Sequence, residues 1–316
     1  MGQYWMFLNL DRHEQVGGLG KLGEFFGDGS TNRSIATRLC RLRPLPKIPR
    51  IQPSEVESTN IEFPKRGLLA LPNEILLHIA DVVRSSTDLV CFAATCHRFW
   101  YLCSPAIETA MKTVSWAGCR IIGLGDYMQN DDLPAGMLTD AEQAALGGLK
   151  PDEDGERPSL YNHARENYPD AIVSSSFSRV RNAYLRPLEK RGIKGAPMAA
   201  IERMCTPVEP TVLRNLSKKL YVSAAAIDAL NKEISQKFDG EWAYTLGDAL
   251  VGRICWSSDP SCSMPENCDD ITRGPWAGDA FDMTSMEIFQ KEADFSQWVD
   301  AKDEVCEALL RYLDGC

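Results

Sequence analysis

Histidine is scarce, with four in 316 residues: His13, His78, His97 and His163. That leaves little material for a Ser-His-Asp or Cys-His arrangement, and no H-E-x-x-H occurs. The eleven cysteines include no C-x-x-C, their number is odd and their spacing irregular. Cys255, Cys262 and Cys268 cluster but lack a nearby fourth ligand, so no metal is expected and buried, reduced thiols are. No apolar run is long enough to span a bilayer, and the first residues lack the basic and apolar regions of a signal peptide. Met6 stands where a myristoylation motif needs Ser or Thr, and Cys316 does not fit a prenylation signal. The expectation is a cytoplasmic or nuclear protein with no membrane partner. The net charge of −10 excludes nonspecific nucleic-acid binding, which wants positive charge.

Phosphate-binding loops are missing too. Gly17-Gly18-Leu19-Gly20-Lys21 has Gln15 and Leu22 where a P-loop needs Gly and Ser or Thr. Gly123-Leu124-Gly125-Asp126 lacks the third glycine of a dinucleotide fingerprint. No catalytic residue and no cofactor is therefore assigned. Asp126, Asp131, Asp132, Asp259, Asp279 and Asp282, with Asp269 and Asp270, lie near two Trp-Ala-Gly segments. Carboxylates gathered there suit a cation or a basic peptide, although loop aspartates more often form turns.

What is present is a pair of apolar helical stripes. Pro72 suits a first helical position, and Glu74 lies in the first turn, where a negative charge meets the positive end of the helix dipole. Ile75, Leu76, Ile79, Val82 and Val83 recur at three- and four-residue spacing. Ser85-Ser86-Thr87-Asp88 is a polar break with cap-forming residues. Leu89, Phe92, Ala93, Cys96, Phe99 and Trp100 make a second stripe, which Ser104-Pro105 is expected to end. So small a hairpin has more apolar surface than it can bury in itself.

Leu71-Pro72, Glu74-Ile75-Leu76, Ile79, Asp88-Leu89 and Cys96-His97-Arg98-Phe99 together resemble an F-box, over roughly residues 68 to 108. Phe92-Ala93-Ala94 departs from it where longer aliphatics are usual. The resemblance implies docking on the Skp adaptor of a cullin–RING ubiquitin ligase. The contacts it implies are Leu71, Pro72, Glu74, Ile75, Leu76, Ile79, Leu89, Phe92, Cys96 and Phe99. The chain would then be a receptor and not itself an enzyme.

An internal repeat organises the rest. Asn9-Leu10 through Val16 is echoed by Asn215-Leu216 through Val222, Leu19-Gly20 by Leu246-Gly247, and Trp116-Ala117-Gly118 by Trp276-Ala277-Gly278. The first copy is longer by about an F-box, as if the module interrupts it. Met1-Gly2-Gln3-Tyr4-Trp5, Leu19-Gly20-Lys21-Leu22-Gly23-Glu24 and Gly125-Asp126-Tyr127 resemble a group of fungal F-box proteins. Tyr4–Leu10 and Arg120–Leu124 read as strands, and Thr139-Asp140-Ala141-Glu142 as a capping box opening a helix that stops at Gly147-Gly148. Asp152-Glu153-Asp154 is an acidic turn. Ser159–Asn167, Ser176–Glu189, the Ile227, Leu230, Ile234, Phe238 stripe and the tail from Ser296 have helical spacing.

The expected architecture is α+β, a small helical F-box inserted into a pseudo-symmetric two-unit domain. Residues 1–40 begin the first repeat, 41–66 form a basic, proline-rich linker and 67–110 the F-box. Residues 111–205 are the remainder of the first repeat with a helical connector, and 206–316 the second repeat. The two-unit part is expected to hold an unknown client protein, with Trp116, Asp126, Trp256, Trp276 and Asp279 as the candidate surface; core filling is the first expectation for Trp116 and Trp276. The alternative is a small-molecule-binding or enzymatic domain with a helical insert that serves no ligase. A deep pocket lined by Asp126, Asp279 and the two tryptophans would favour it.

Overall fold

A computed structural model of the chain describes residues 3–26, 29–42, 67–83, 85–112, 115–151, 155, 157–171, 181–192, 196–205, 210–237, 243–257, 259 and 271–314. The proline-rich linker from residue 43, the acidic residues 152–154, and Phe238, Cys262, Cys268, Asp269 and Asp270 lie outside the described residues. The architecture is α+β. Two compact units form: one from residues 1–41, 116–175 and 208–316, the other from 42–115 and 176–207. Residues 176–207, expected to connect the repeats, therefore belong with the helical module.

In chain order the elements begin with β1 (Trp5–Asn9), β2 (Glu14–Val16), α1 (Leu22–Phe25) and α2 (Gly29–Arg38). The module contributes α3 (Asn73–Val82), α4 (Ser86–Ala93) and α5 (His97–Lys112). Then come β3 (Cys119–Gly125), α6 (Asp140–Gly147), α7 (Leu160–Asn167), α8 (Arg186–Lys190) and α9 (Ala196–Cys205). The second repeat holds β4 (Val212–Asn215), β5 (Leu220–Ser223), α10 (Ala224–Lys237), α11 (Leu246–Ile254), β6 (Cys255–Trp256) and β7 (Ala280–Thr284). The chain closes with α12 (Met286–Phe289), β8 (Val299–Asp300) and α13 (Lys302–Asp314).

In the larger unit the sheet runs β2-β1-β3-β7-β4-β5-β8, with β6 beside β3. The two repeats obey the same local chemistry. Asn9 accepts from the Asp11 and Arg12 amides and turns β1 into β2, with His13 at φ 51°. Asn215 accepts from the Lys218 amide and turns β4 into β5, with Lys219 at φ 53°. Such side-chain-to-backbone bonds build the turn locally. A carboxylate three residues on then accepts from the amide ahead of each helix: Glu24 from the Lys21 amide at 2.8 Å before α1, and Asp248 from the Thr245 amide at 2.7 Å before α11, where the Thr245 hydroxyl completes a capping box. These place Leu22-Gly23, not Leu19-Gly20, opposite Leu246-Gly247.

The tryptophans close each repeat. The Trp116 amide donates to the Arg38 carbonyl at 2.8 Å and the Arg38 guanidinium lies 5.4 Å from its ring. The Trp276 amide donates to the Arg253 carbonyl at 2.9 Å and Arg253 lies 5.5 Å from that ring. Gly118 and Gly278, at φ 86° and 81°, then enter β3 and β7, which pair antiparallel across Cys119–Phe281. Each repeat also lends a segment to the other. Cys40, just past α2, bridges β7 at Met283, and β6, just past α11, pairs with β3 at Gly123. One face of the sheet carries Leu8, Ile122 and Leu124 against Met137, Leu160 and Tyr161 of the segment after β3. Helix α13 packs on α11, where Gly252 lets Tyr312 approach and donate to its carbonyl at 3.1 Å.

The smaller unit is helical. Ser85 caps α4 by accepting from the Asp88 amide. The second stripe, read as one helix, breaks at Ala94–Cys96, where the Thr95 hydroxyl bonds the Phe92 carbonyl, so it forms α4 and α5. Pro105 does not end α5, which continues to Lys112. Buried Trp100, Cys103 and Ile107 hold the helix on both sides of the proline, and the Ser104 hydroxyl takes the Trp100 carbonyl at 2.5 Å. The apolar surface these helices cannot bury among themselves meets Tyr184, Leu185, Leu188 and Ile201. The Thr87 hydroxyl donates to the Ala183 carbonyl at 2.8 Å. The tail expected to be helical from Ser296 begins instead with a 3-10 turn and β8, and its helix starts at Lys302.

Candidate functional site

Two surfaces carry the sequence-chosen residues, one in each unit. In the helical unit, Gly67–Ala70 forms a 3-10 turn that leads through Leu71 and Pro72 into α3. Arg98 of α5 fastens this entry. Its guanidinium donates to the Leu69 carbonyl at 2.7 Å, the Leu71 carbonyl at 2.8 Å and twice to Asn73 Oδ1, at 2.8 and 3.0 Å. These are charge-assisted bonds to two carbonyls in and just after the 3-10 turn and to the first side chain of α3, so the Leu-Pro and Cys-x-Arg-aromatic segments are one structural device. Phe92 stacks on Phe99 at 4.5 Å, bracing α4 against α5.

Helix α3 divides its side chains sharply. Leu76 and Ala80 are buried. Ile75 at 44% and Val82 at 75% exposure face solvent, and Ile79 is half-buried between them in the i, i+4, i+7 line. Pro72, Glu74 and Leu77 are exposed as well, as is Leu68 before them. Of the residues chosen from sequence, Leu76, Leu89 and Phe99 are buried in the unit and are not surface; Leu89 joins the core with Tyr184, Leu185 and Leu188, and Phe99 stacks on Phe92. Leu71, Phe92 and Cys96 are half-buried. Val82, absent from the residues chosen from sequence, is exposed on the same line as Ile75 and Ile79. Burial pushes the Cys91 and Cys103 thiols up, which keeps them protonated.

The larger unit bears a cleft of about 720 Å³. Its walls come from Asp126 and Met128 after β3, the 3-10 turn Asn130–Asp132, helix α6 and the start of α7. Asp126 is set by a reciprocal pair: its amide donates to the Tyr4 carbonyl at 2.9 Å, and its Oδ1 accepts from the Tyr4 amide at 2.9 Å. Beside it, buried Gln3 accepts from the Ser257 hydroxyl at 2.6 Å and donates to the Asp259 carbonyl at 2.7 Å. Gly125 faces Gln3 with no room for a Cβ. The Gln3-Tyr4 and Gly125-Asp126 segments singled out in the sequence therefore meet at one point.

Asn130 pins the far wall, donating to the Pro158 carbonyl at 3.0 Å and accepting from the Leu160 amide at 2.8 Å. Trp256 is half-buried and donates to the Asp132 carbonyl at 2.6 Å. Arg273 lies 5.1 Å from its ring and pairs with Asp132 at 2.7 Å. The base of α6 is anchored by Arg120, which bonds both Asp11 and Glu142 at 2.7 Å. The hydrogen bond from Arg120 holds the Glu142 carboxyl down to about 2, and Thr139 helps. Burial, and secondarily the Asp126 charge, raises the Tyr161 hydroxyl.

The other candidate surface residues lie elsewhere. Trp116 and Trp276 are 0% and 1% exposed and fill the core under Arg38 and Arg253, so neither is a recognition surface. Asp279 is bonded to Asn215 at 2.7 Å and Lys218 at 2.9 Å, a turn-fixing role away from the cleft lining. The pocket that would have favoured an enzymatic domain is thus not formed by those four residues together. Among the described residues no group of three or more His, Cys, Asp or Glu side chains could hold a metal ion. No helix among them is long and apolar enough to cross a membrane. A scan against protein-family models gives no match, and neither does a search of curated proteins or of solved structures.

Proposed function

We propose that the chain is a receptor subunit of a Skp–cullin–F-box ubiquitin ligase, docking on the Skp adaptor through the helical unit and holding a client protein with the larger one. The observation that supports it best is the division of α3. Leu76 and Ala80 complete the unit's own core, while Ile75 and Val82 stay in water beside exposed Pro72. An apolar i, i+4, i+7 line on a helix braced from behind is the form that packs against a partner's helices. Catalysis would then be proximity, a client held near enzymes supplied by the assembly.

The experiment is co-purification of the full chain with the Skp adaptor, wild type beside an Ile75→Asp, Val82→Asp double variant. Both positions are exposed, so the variant keeps its fold. Binding by the wild type and loss in the variant supports the receptor. Failure of a folded wild type to bind rejects it and turns attention to the cleft as a ligand site in its own right.

A further inference from the structure

The larger unit's cleft has no assigned occupant, and its chemistry narrows the choice. Its floor is apolar, from Leu133, Leu138 and Leu146. Its rim is open: Gln129, Asp131, Gln143 and Arg157 are all exposed. Sites for small molecules enclose most of the ligand, whereas an open trough with an apolar floor and polar edges suits an extended peptide.

The charge is also informative. Asp126 offers its carboxylate with a single bond, from the Tyr4 amide, and Asp131 makes no hydrogen bond or ion pair with any described residue. Asp132, the next acid along, is by contrast already neutralised by Arg273. Tyr4 and Tyr127, next to Asp126, are exposed but lie outside the lining, whose one described cation is Arg157 on the rim. Two carboxylates with no cationic partner among the described residues make a seat for an ammonium or guanidinium group.

We propose that this cleft binds an extended peptide segment in which a Lys or Arg side chain, set against Asp126 and Asp131, neighbours an aliphatic side chain on the leucine floor. The binding itself stands on the cleft alone; that the peptide belongs to a client rests on the receptor reading above. The cleft is preformed. Gln3 and Gly125 fix Asp126 from below, and Trp256 with Arg273 fixes the Asp131-Asp132 turn, so little ordering entropy is lost on binding.

The test is a positional-scanning array of immobilised hexapeptides probed with the labelled full-length chain. Wild type is compared with an Asp126→Asn, Asp131→Asn double variant, which keeps the Tyr4 acceptor and disturbs no bond of Asp131. The expected result is enrichment of Arg or Lys next to Leu or Ile, falling by about tenfold in the variant and weakening with added salt. An array with no preference for basic peptides, or one unchanged in a folded variant, overturns the proposal. Adaptor co-purification from the same preparation separates the two readings. Adaptor binding with a blank array rejects the cleft alone, and a specific array without adaptor binding rejects the receptor alone.

Discussion

Replacing Arg98 with methionine keeps the stem of the side chain and removes its guanidinium. Four hydrogen bonds go, two of them to the part-buried carbonyls of Leu69 and Leu71. A hydrogen bond to a charged group contributes about 1.5–3 kcal/mol net. Taking the lower figure for the two backbone bonds, and nothing for the exposed pair to Asn73, the entry to α3 loses about 3 kcal/mol of local stability. That is about a hundredfold faster opening of that segment. The reporters are the Leu71 amide, bonded to the Leu68 carbonyl, and the Leu76 amide, bonded to the Pro72 carbonyl. Hydrogen exchange at these two should accelerate by about two orders of magnitude, while Val90 in α4 and Ile107 in α5 hold their protection. Unchanged exchange at Leu71 would refute the reasoning, because Arg98 would then be ornament. A uniform rise across α4 and α5 would refute it differently, by making Arg98 a general core residue. Adaptor affinity should fall with the entry's order although Ile75 and Val82 are untouched.

Three further outcomes follow from the same bonds. Truncating Ile75 or Val82 to alanine should weaken adaptor binding by about 1 kcal/mol each, given their exposure, without moving the unfolding midpoint; Leu76→Ala, in the core, should lower stability by about 2–5 kcal/mol. The folded pKa of Glu142 lies below its ordinary 4.5, at about 2, so its pairing with Arg120 stabilises fully above 4.5 and is lost as pH falls toward 2. Because both side chains are about a quarter exposed, the advantage over Glu142→Gln should be about 1–2 kcal/mol at neutral pH and vanish near pH 2 in urea melts. Arg214 is buried between Phe289 and Trp298 and binds Asp282 through two bonds; Arg214→Met should cost about 3 kcal/mol, seen as faster exchange at Leu213 and Met283, with partial recovery on adding Asp282→Asn.

Much of this was legible because it is local. The Thr139 capping box needs only neighbours in sequence to act, and it forms where its pattern stands. The repeat was visible in Trp-Ala-Gly, yet its middle was misaligned by three residues. Glu24 and Asp248, each accepting from the amide three residues before it, were the better marker, hidden because Lys21 has no side-chain acceptor to match Thr245. Arg38, just ahead of the basic linker, is buried against Trp116, a residue more than seventy positions on. No local pattern announces that contact. Pro105 misled for a related reason: its penalty is intrinsic, while the packing of Trp100 and Ile107 that outweighs it is tertiary. The cleft was foreshadowed only by its aspartates, since its lining comes from residues 126–138, 143–147 and 157–162, whose convergence the chain's order does not reveal.

The exchange of segments between the repeats also governs when this protein can become itself. During synthesis β1 and β2 emerge first, but β3 awaits β6 and β7, and Cys40 awaits Met283. The sheet stays open until β7 has left the ribosome. Until then β3, paired with β1 on one side, waits with its other edge open, and open edges are sticky. A chain stalled before β7 is therefore not a smaller working protein, because it lacks the strand that joins β3 to β4 and seats Cys40.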